Sequence, residues 1–268
     1  MYPLLFHFGR TAIPTYGVFT ALALLAALAF SVRTARKAAL PAEKIWNLGL
    51  VAILATLIAE RLLLVAVYFR AFAAHPFWLL GLATITNDWI ALSGVALGLG
   101  IAVLYALAEG LPVLRSADAG AAAVALAFAI NRIGAFLAGA AWGTRTTMPW
   151  GVTYRSEIAW VWYRTPLGMK LHPVQLYDAA GSLVLLVLLL WMGRRRRDQA
   201  GEMAGAWLFL YGVTRFFLDF YRGGATGLRF FGGALTLAQL LAMLAVLAGG
   251  LLLMRRSHRP ALAAASIS

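Results

Sequence analysis

Seven long apolar stretches limit this chain to a membrane-spanning fold. Each is about 20 residues long, the length that an α-helix needs to cross a bilayer. Of the 268 residues, 62% are hydrophobic and only 12% are charged, a balance that excludes a soluble domain. We therefore predict an all-α polytopic membrane protein, with a single integral membrane domain over residues 1–259 and a disordered tail over residues 260–268. The seven predicted spans are 13–32, 45–69, 89–108, 119–142, 174–192, 204–221 and 234–254.

The positive charges beside these stretches predict the orientation of the protein. One side of the membrane collects 12 of the 23 Lys and Arg residues, mostly in short segments between spans. Short loops rich in Lys and Arg stay in the cytoplasm, so the N-terminus is predicted outside and the C-terminus inside. The long loop Gly143–Leu171 then faces outward. The apolar segment Phe77–Ala83 is too short to cross, and we expect it to lie at the interface or to re-enter the membrane.

Composition also excludes several classes of function. The net charge is +13, but the basic residues lie beside apolar segments, which favours anionic lipid head groups over nucleic acid as partners. The chain has no cysteine, which excludes disulfides, zinc–cysteine sites and catalysis by a thiol of its own. No internal repeat is visible, which argues against a secondary transporter. We predict no cofactor and no metal.

Arg132 is the most unusual residue of the apolar stretches. It lies about ten residues from either end of the fourth span, which predicts a depth of about 15 Å, close to the bilayer midplane. A charge at that depth costs about 2.5–3.5 kcal/mol on insertion scales and normally faces a wet or protein-lined cavity. Small residues from Gly134 to Gly143 around it favour close helix packing.

A second polar set lies on the sixth span. Tyr211, Arg215, Asp219 and Arg222 recur at helical spacing and share one helix face. Two guanidinium groups with a carboxylate between them suit phosphate, because the guanidinium fork matches two phosphate oxygens. The alternative interpretation is a structural Arg215–Asp219 pair, with Arg222 extending to the membrane surface.

Other candidates are weaker when each is taken alone. His172 and Gln175 open the fifth span beside Pro173, an arrangement that also suits helix capping and interface anchoring. Arg61 lies about eight residues inside the second span and can reach the interface with its long side chain. Tyr16, at the start of the first span, also fits the aromatic belt of a membrane protein.

Taken together, these residues resemble the prolipoprotein diacylglyceryl transferase family. The signature segment is Arg132-Ile133-Gly134-x-Phe136, followed by Gly139 and Trp142-Gly143. The other matching motifs, in chain order, are Tyr16-Gly17, Arg61, Pro149-Trp150-Gly151-Val152, His172-Pro173-x-Gln175-Leu176-Tyr177-Asp178, Tyr211-Gly212-x-x-Arg215 and Asp219-Phe220-x-Arg222. The likeness runs from about residue 9 to residue 254, nearly the whole chain.

The resemblance implies a reaction and roles for the candidate residues. Members of the family move the diacylglyceryl group of phosphatidylglycerol onto the lipobox cysteine thiol of a lipoprotein precursor, at the outer face of the bacterial inner membrane. Arg132 and Arg215 are then expected to hold the phosphate, supported by Arg61 and Arg222. The other expected roles are orientation of the glycerol by Tyr16, Tyr211 and Gln175, positioning of the arginines by Asp219, substrate binding near Gly143, and a catalytic base at His172.

The chain also departs from the family pattern. The family has Asn at the positions of Ala135 and Ala138, an acidic residue at Ala140, and a His-Gly-Gly that aligns with Leu92-Ser93-Gly94. The phosphate-binding arginines are kept, whereas the groups that orient lipid and activate the thiol are replaced. Two alternatives therefore stand beside the transferase: a non-catalytic paralogue that binds anionic phospholipid or lipoprotein precursors, and a lipid transporter in which Arg132 and Arg215 line a path.

Overall fold

Long helices build almost the whole protein, as the sequence predicts. The computed structural model describes residues 2–8, 11–74, 88–194, 199–224 and 229–255. The predicted interfacial segment Phe77–Ala83 and the predicted tail at 260–268 lie outside these described residues. The helices are α1 (Thr15–Lys37), α2 (Ala42–Val67), α3 (Phe69–Ala74), α4 (Asp88–Ala108), α5 (Val113–Ala138), α6 (Glu157–Tyr163), α7 (Val174–Gly193), α8 (Glu202–Asp219) and α9 (Leu237–Met254).

Six of these helices, α1, α2, α4, α5, α7 and α9, are long and apolar enough to cross a membrane. An all-α polytopic membrane protein is thereby confirmed. The predicted sixth span coincides with α8, which is 18 residues long but includes Glu202, Arg215 and Asp219. Its crossing of the membrane, like the orientation of the termini, stays a prediction.

Helix α5 occupies the centre of the bundle. It packs against α1, α7 and α8, while α8 packs against α9 and α2 packs against α4. Alanine makes this possible, since Ala121, Ala122 and Ala125 are almost completely buried and admit Leu185 and Leu189 of α7. Small side chains at a helix interface let the two backbones approach closely, which stabilises packing where lipid supplies no hydrophobic driving force.

Short β-structure gathers at one end of the bundle, which we call the site end. Strands β1 (Leu4–Phe8) and β2 (Thr11–Pro14) form a hairpin before α1. Within the long loop, β3 (Val152–Thr153) pairs with β4 (Lys170–Leu171), and α6 lies between them. A third pair, β5 (Arg229–Phe230) and β6 (Leu235–Thr236), precedes α9. Strands β3 to β6 have two residues each, which is too short for an alternating pattern to reveal them.

The end of α5 corrects the predicted depth of Arg132. The sequence places this arginine near the middle of a helix over 119–142, but α5 ends at Ala138 because Gly139 adopts a left-handed conformation with φ of 83°. Glycine is suited to that conformation because it has no Cβ. Arg132 therefore lies six residues, or about 9 Å along the axis, from the end of its helix. It lies nearer to the site end of α5 than to the middle of that helix.

Candidate functional site

Arg132 forms an ion pair with Asp178 across the α5–α7 interface. The distance between Arg132 Nε and Asp178 Oδ2 is 2.8 Å, and the two side chains are 14% and 2% exposed. The N–H bond is not aimed at the carboxylate oxygen, so the contact is electrostatic rather than a well-aligned hydrogen bond. The terminal nitrogens on the other edge of the guanidinium remain for other partners.

A second ion pair lies on α8. Arg215 Nη2 is 3.3 Å from Asp219 Oδ1, one turn further along the same helix. The other oxygen of Asp219 accepts a hydrogen bond from the Thr236 hydroxyl. Thr236 is also the N-cap of α9 and forms a reciprocal capping box with Gln239. Asp219 thus connects Arg215 to a fixed point at the start of the next helix.

Tyr211 and Arg222 complete one polar cluster with the two ion pairs. The Tyr211 side chain forms a hydrogen bond with Arg132. Arg222 follows α8 and interacts electrostatically with Arg215, Arg132, Asp178 and Tyr211. Burial, together with the positive charges of Arg215 and Arg132, lowers the pKa of Arg222 to about 10. Arg222 nevertheless stays charged at neutral pH.

The cluster has an excess of positive charge. Three arginines face two aspartates. Besides Arg132 Nε, two further guanidinium nitrogens, Arg215 Nη1 and Arg222 Nε, are buried without a hydrogen-bond acceptor in the described part of the chain. Buried polar groups in folded proteins are nearly always satisfied, so unpaired guanidinium donors indicate a site for an acceptor-rich anion. The arrangement is suited to binding a phosphate.

Aromatic rings form the floor of this cluster, towards the interior of the bundle. The guanidinium carbon of Arg132 lies 5.9 Å from the centroid of the Phe128 ring. Tyr211 stacks on Trp207, with ring centroids 5.0 Å apart and an interplanar angle of 9°. These rings limit the access of water from the interior of the bundle. Charges interact more strongly where water is excluded.

Tyr16 lies beside the cluster, whereas Arg61 lies on another helix pair. Tyr16 interacts electrostatically with Arg132 and packs edge-to-face on Tyr163 of α6, with ring centroids 6.3 Å apart. Arg61 is half-buried on α2, a helix whose main packing partners are α1 and α4. The expected grouping of Tyr16 with Arg132 is therefore present.

His172 is positioned by aromatic residues rather than by the arginines. Its Nδ1 is 3.3 Å from the Tyr177 hydroxyl, and its ring packs on Tyr221 with centroids 5.1 Å apart. Tyr177 in turn accepts a hydrogen bond of 2.7 Å from Trp150. Within the described residues, no hydrogen bond or ion pair joins His172 to Arg132, Arg215 or Arg222.

Gln175 connects α7 to the end of α5. Its amide nitrogen donates to the Ala140 carbonyl at 2.7 Å and to the Tyr154 hydroxyl at 3.1 Å. Gln175 and Tyr154 are almost fully buried. Burial raises the pKa of Tyr154 to about 12, although the hydrogen bond from Gln175 acts to lower that pKa. The donors of Gln175 are thus used within the protein, and its Oε1 is the atom left to accept a hydrogen bond.

Gly143 is a point of close backbone approach. It forms a β-bridge with Arg222, and Gly223 N donates to the Trp142 carbonyl at 3.0 Å. A Cβ on Gly143 would stand 2.3 Å from the His172 carbonyl oxygen. The glycine therefore brings together the backbone that carries Arg222 and the start of α7. We refer to these contacts of Trp142, Gly143, His172, Arg222 and Gly223 as the clasp.

The positions that depart from the family pattern lie in packed surroundings. Ala135 and Ala138 are completely buried, and Ala140 is 5% exposed. A Cβ on Gly94, in the segment that aligns with the family histidine, would lie 2.1 Å from Glu60 Cγ, so α4 packs tightly on α2 there.

Three residues that the sequence did not single out by role complete the site: Asp178, Thr236 and Tyr154. A signal existed for the first two, because Asp178 follows Gln175 by one helical turn and Thr236-x-x-Gln239 is a capping-box pattern.

Comparison with known proteins shows the family of this chain. The family model described as prolipoprotein diacylglyceryl transferase matches residues 3–255. The chain belongs to this family. A phosphatidylglycerol–prolipoprotein diacylglyceryl transferase of Clostridium tetani is 30% identical over 228 residues, which cover 85% of this chain and 88% of the relative. Proteins with the same name from Synechococcus elongatus and Vibrio vulnificus are 29% and 30% identical and cover 92% and 96% of the chain, and 84% and 92% of their own lengths.

Proposed function

We propose that this protein transfers the diacylglyceryl group of phosphatidylglycerol to the lipobox cysteine thiol of lipoprotein precursors. The observation that carries the proposal is the cluster of Arg132, Arg215 and Arg222, whose buried guanidinium groups include nitrogens without an acceptor. The names of the relatives state both phosphatidylglycerol and prolipoprotein. We place the protein in the bacterial inner membrane, with its site end facing outward.

The chemistry assigns the arginines to the leaving group. The substrate thiolate attacks the glycerol carbon that carries the phosphate, a carbon–sulfur bond forms, and the carbon–oxygen bond to phosphate breaks. The electron pair of that bond leaves with glycerol phosphate, whose negative charge increases in the transition state. Preorganised donors in a water-excluded site stabilise such developing charge most effectively. Arg132 and Arg215 are the proposed donors, with Arg222 as a third and Arg61 in support.

The remaining roles follow from the neighbours of the cluster. Asp219 holds Arg215, and Tyr16 and Tyr211 flank Arg132, where their hydroxyls can orient the glycerol. Gln175 contributes through its Oε1, since its amide hydrogens are used within the protein. His172 is the proposed acceptor of the thiol proton, because a thiol has a pKa of about 8.5 and needs a base near it.

The test is transfer by the purified protein in phosphatidylglycerol nanodiscs to a lipobox peptide, followed by the mass of the peptide. We expect a diacylglyceryl adduct, and a loss of rate of about 100- to 1000-fold for Arg132→Ala, because one charge-stabilising donor is removed. Arg115→Ala is the matched control: this arginine is exposed at the opposite end of α5, so its removal leaves the rate unchanged. Equal rates for Arg132→Ala and Arg115→Ala would contradict the proposal.

A second candidate is a protein that binds phosphatidylglycerol without transferring it. The observation in its favour is the complete burial of Ala135 and Ala138, which leaves the phosphate-binding groups without the amides that the family resemblance implies. It predicts saturable binding of phosphatidylglycerol and no adduct in an assay where the Clostridium tetani relative produces one.

A further inference from the structure

Asp178 forms an ion pair with Arg132 that the positions of the two residues in the sequence do not reveal. Its carboxylate is 2% exposed and contacts Arg132 at Nε, so this contact leaves the edge between the two terminal nitrogens unused. Neither carboxylate oxygen accepts a hydrogen bond from any described residue. Because no described donor forms a hydrogen bond with Asp178, its negative charge acts mainly on Arg132 and on the nearby Tyr211 and Arg222.

The start of α7 holds this carboxylate in a fixed place. One turn before Asp178, Gln175 is bonded to the Ala140 carbonyl just beyond α5, and the His172 amide donates to the Thr144 carbonyl. The helix that carries Asp178 is therefore fastened to the end of the helix that carries Arg132. A rigid backbone with a buried charge is what a side chain needs to orient a flexible arginine.

We infer that Asp178 is a positioning residue that aims the terminal nitrogens of Arg132 at the phosphate, an inference that rests on the proposed function. It parallels Asp219, which holds Arg215 and is itself held by Thr236. In this chain the neighbouring positions Ala135, Ala138 and Ala140 provide no polar side chain, so the polar groups that hold Arg132 come from other helices: Asp178 on α7 and Tyr211 on α8.

A positioning role for Asp178 affects the orientation of Arg132 and not the electrostatic attraction of the phosphate. Without the carboxylate, Arg132 keeps its positive charge, and Arg215 and Arg222 still attract the phosphate, so the KM for phosphatidylglycerol changes little. The rate of the chemical step falls, because a displacement of a catalytic group by about 1 Å costs about 100-fold. A residue that only stabilised the fold would lower the amount of active protein and leave kcat per folded molecule unchanged.

A double-mutant cycle tests the inference directly. Arg132→Lys keeps the charge but removes the guanidinium fork, and Asp178→Asn keeps the shape but removes the carboxylate. Kcat and KM are measured in nanodiscs for the wild type, both single variants and the double variant. If Asp178 acts through Arg132, each single variant loses about 100-fold in kcat and the double variant falls no further. Independent effects would multiply to about 10,000-fold and would overturn the inference.

Two further variants keep the test interpretable. Asp178→Glu restores a carboxylate and should recover most of the rate. Asp118→Asn is the matched structural control, since Asp118 is a carboxylate at the other end of the bundle that accepts hydrogen bonds from Gly201 N and Ala204 N at the start of α8. It should lower the unfolding temperature without changing kcat per folded molecule.

The possible results separate the inference from the function on which it rests. An Asp178→Asn protein with the wild-type kcat, or with only the lower stability seen for Asp118→Asn, overturns the positioning role and leaves the transferase intact. A wild type that transfers nothing, beside an active Clostridium tetani relative, overturns both.

Discussion

Gly143→Ala should damage the site without touching any charged group. The added Cβ would stand 2.3 Å from the His172 carbonyl oxygen and 2.7 Å from Val174 Cγ2. Real Cβ contacts begin near 3.0 Å, so the backbone at the start of α7 must retreat by about 0.7 Å. Because Gly143 forms a β-bridge with Arg222, the displacement reaches the arginine cluster through the clasp.

The expected losses follow from that displacement. Overpacking of this kind costs about 1–3 kcal/mol of stability. A shift of nearly 1 Å in catalytic geometry lowers the rate by about 10- to 100-fold. Both are measurable in nanodiscs, the first by thermal unfolding and the second by adduct formation per folded molecule.

Gly120→Ala is the matched control for this experiment. Gly120 lies in the interior of α5, and a Cβ there would meet nothing within 4 Å. Alanine in a helix interior stabilises by about 0.5–1 kcal/mol relative to glycine, so this variant should be slightly more stable and fully active. A Gly143→Ala protein that matches it in rate and stability would refute the assignment of Gly143 to close backbone packing.

Three other predictions concern single contacts of the site. Thr236→Val should lower stability by about 1–2 kcal/mol, because it removes both the α9 cap and the hydrogen bond to Asp219, while Thr236→Ser keeps both; thermal unfolding of the pair decides this. Tyr154→Phe should cost about 1 kcal/mol in the same measurement, since Gln175 keeps its bond to the Ala140 carbonyl, and an unchanged unfolding temperature would contradict it. Binding of phosphatidylglycerol should be constant up to about pH 9 and weaken above about pH 10, because the lowered pKa of Arg222 lets it lose its proton near that pH. A binding affinity that stays constant through that range would show that the charge of Arg222 is not used.

The parts of the site that the sequence predicted are those set by local periodicity. The polar face from Tyr211 to Arg222 follows from helical spacing within one element, and the structure places its residues in one cluster. The helices were predicted for the same reason, since about 20 apolar residues in a row leave few other folds. Arg132, on another helix, stands out in the sequence as a charge within an apolar stretch, and the family motifs join it to that face.

The parts that the sequence missed depend on how separate elements meet. Gly139 ends α5 early, and a glycine within a run of small residues does not reveal which conformation it adopts. The partner of Arg132 is a carboxylate on α7, 46 positions further along the chain, so no spacing rule connects them. For His172 the sequence predicts a base at the outer face, but it does not reveal that the ring contacts Tyr177 and Tyr221.

The central claim is that the arginine cluster binds the phosphate of phosphatidylglycerol for transfer to a thiol. Its most direct test is the mass of a lipobox peptide after incubation with the wild type and with Arg132→Ala in phosphatidylglycerol nanodiscs. We predict a diacylglyceryl adduct that forms with the wild type and is reduced by about 100-fold or more in the variant. An adduct that forms equally fast with both proteins would contradict the account.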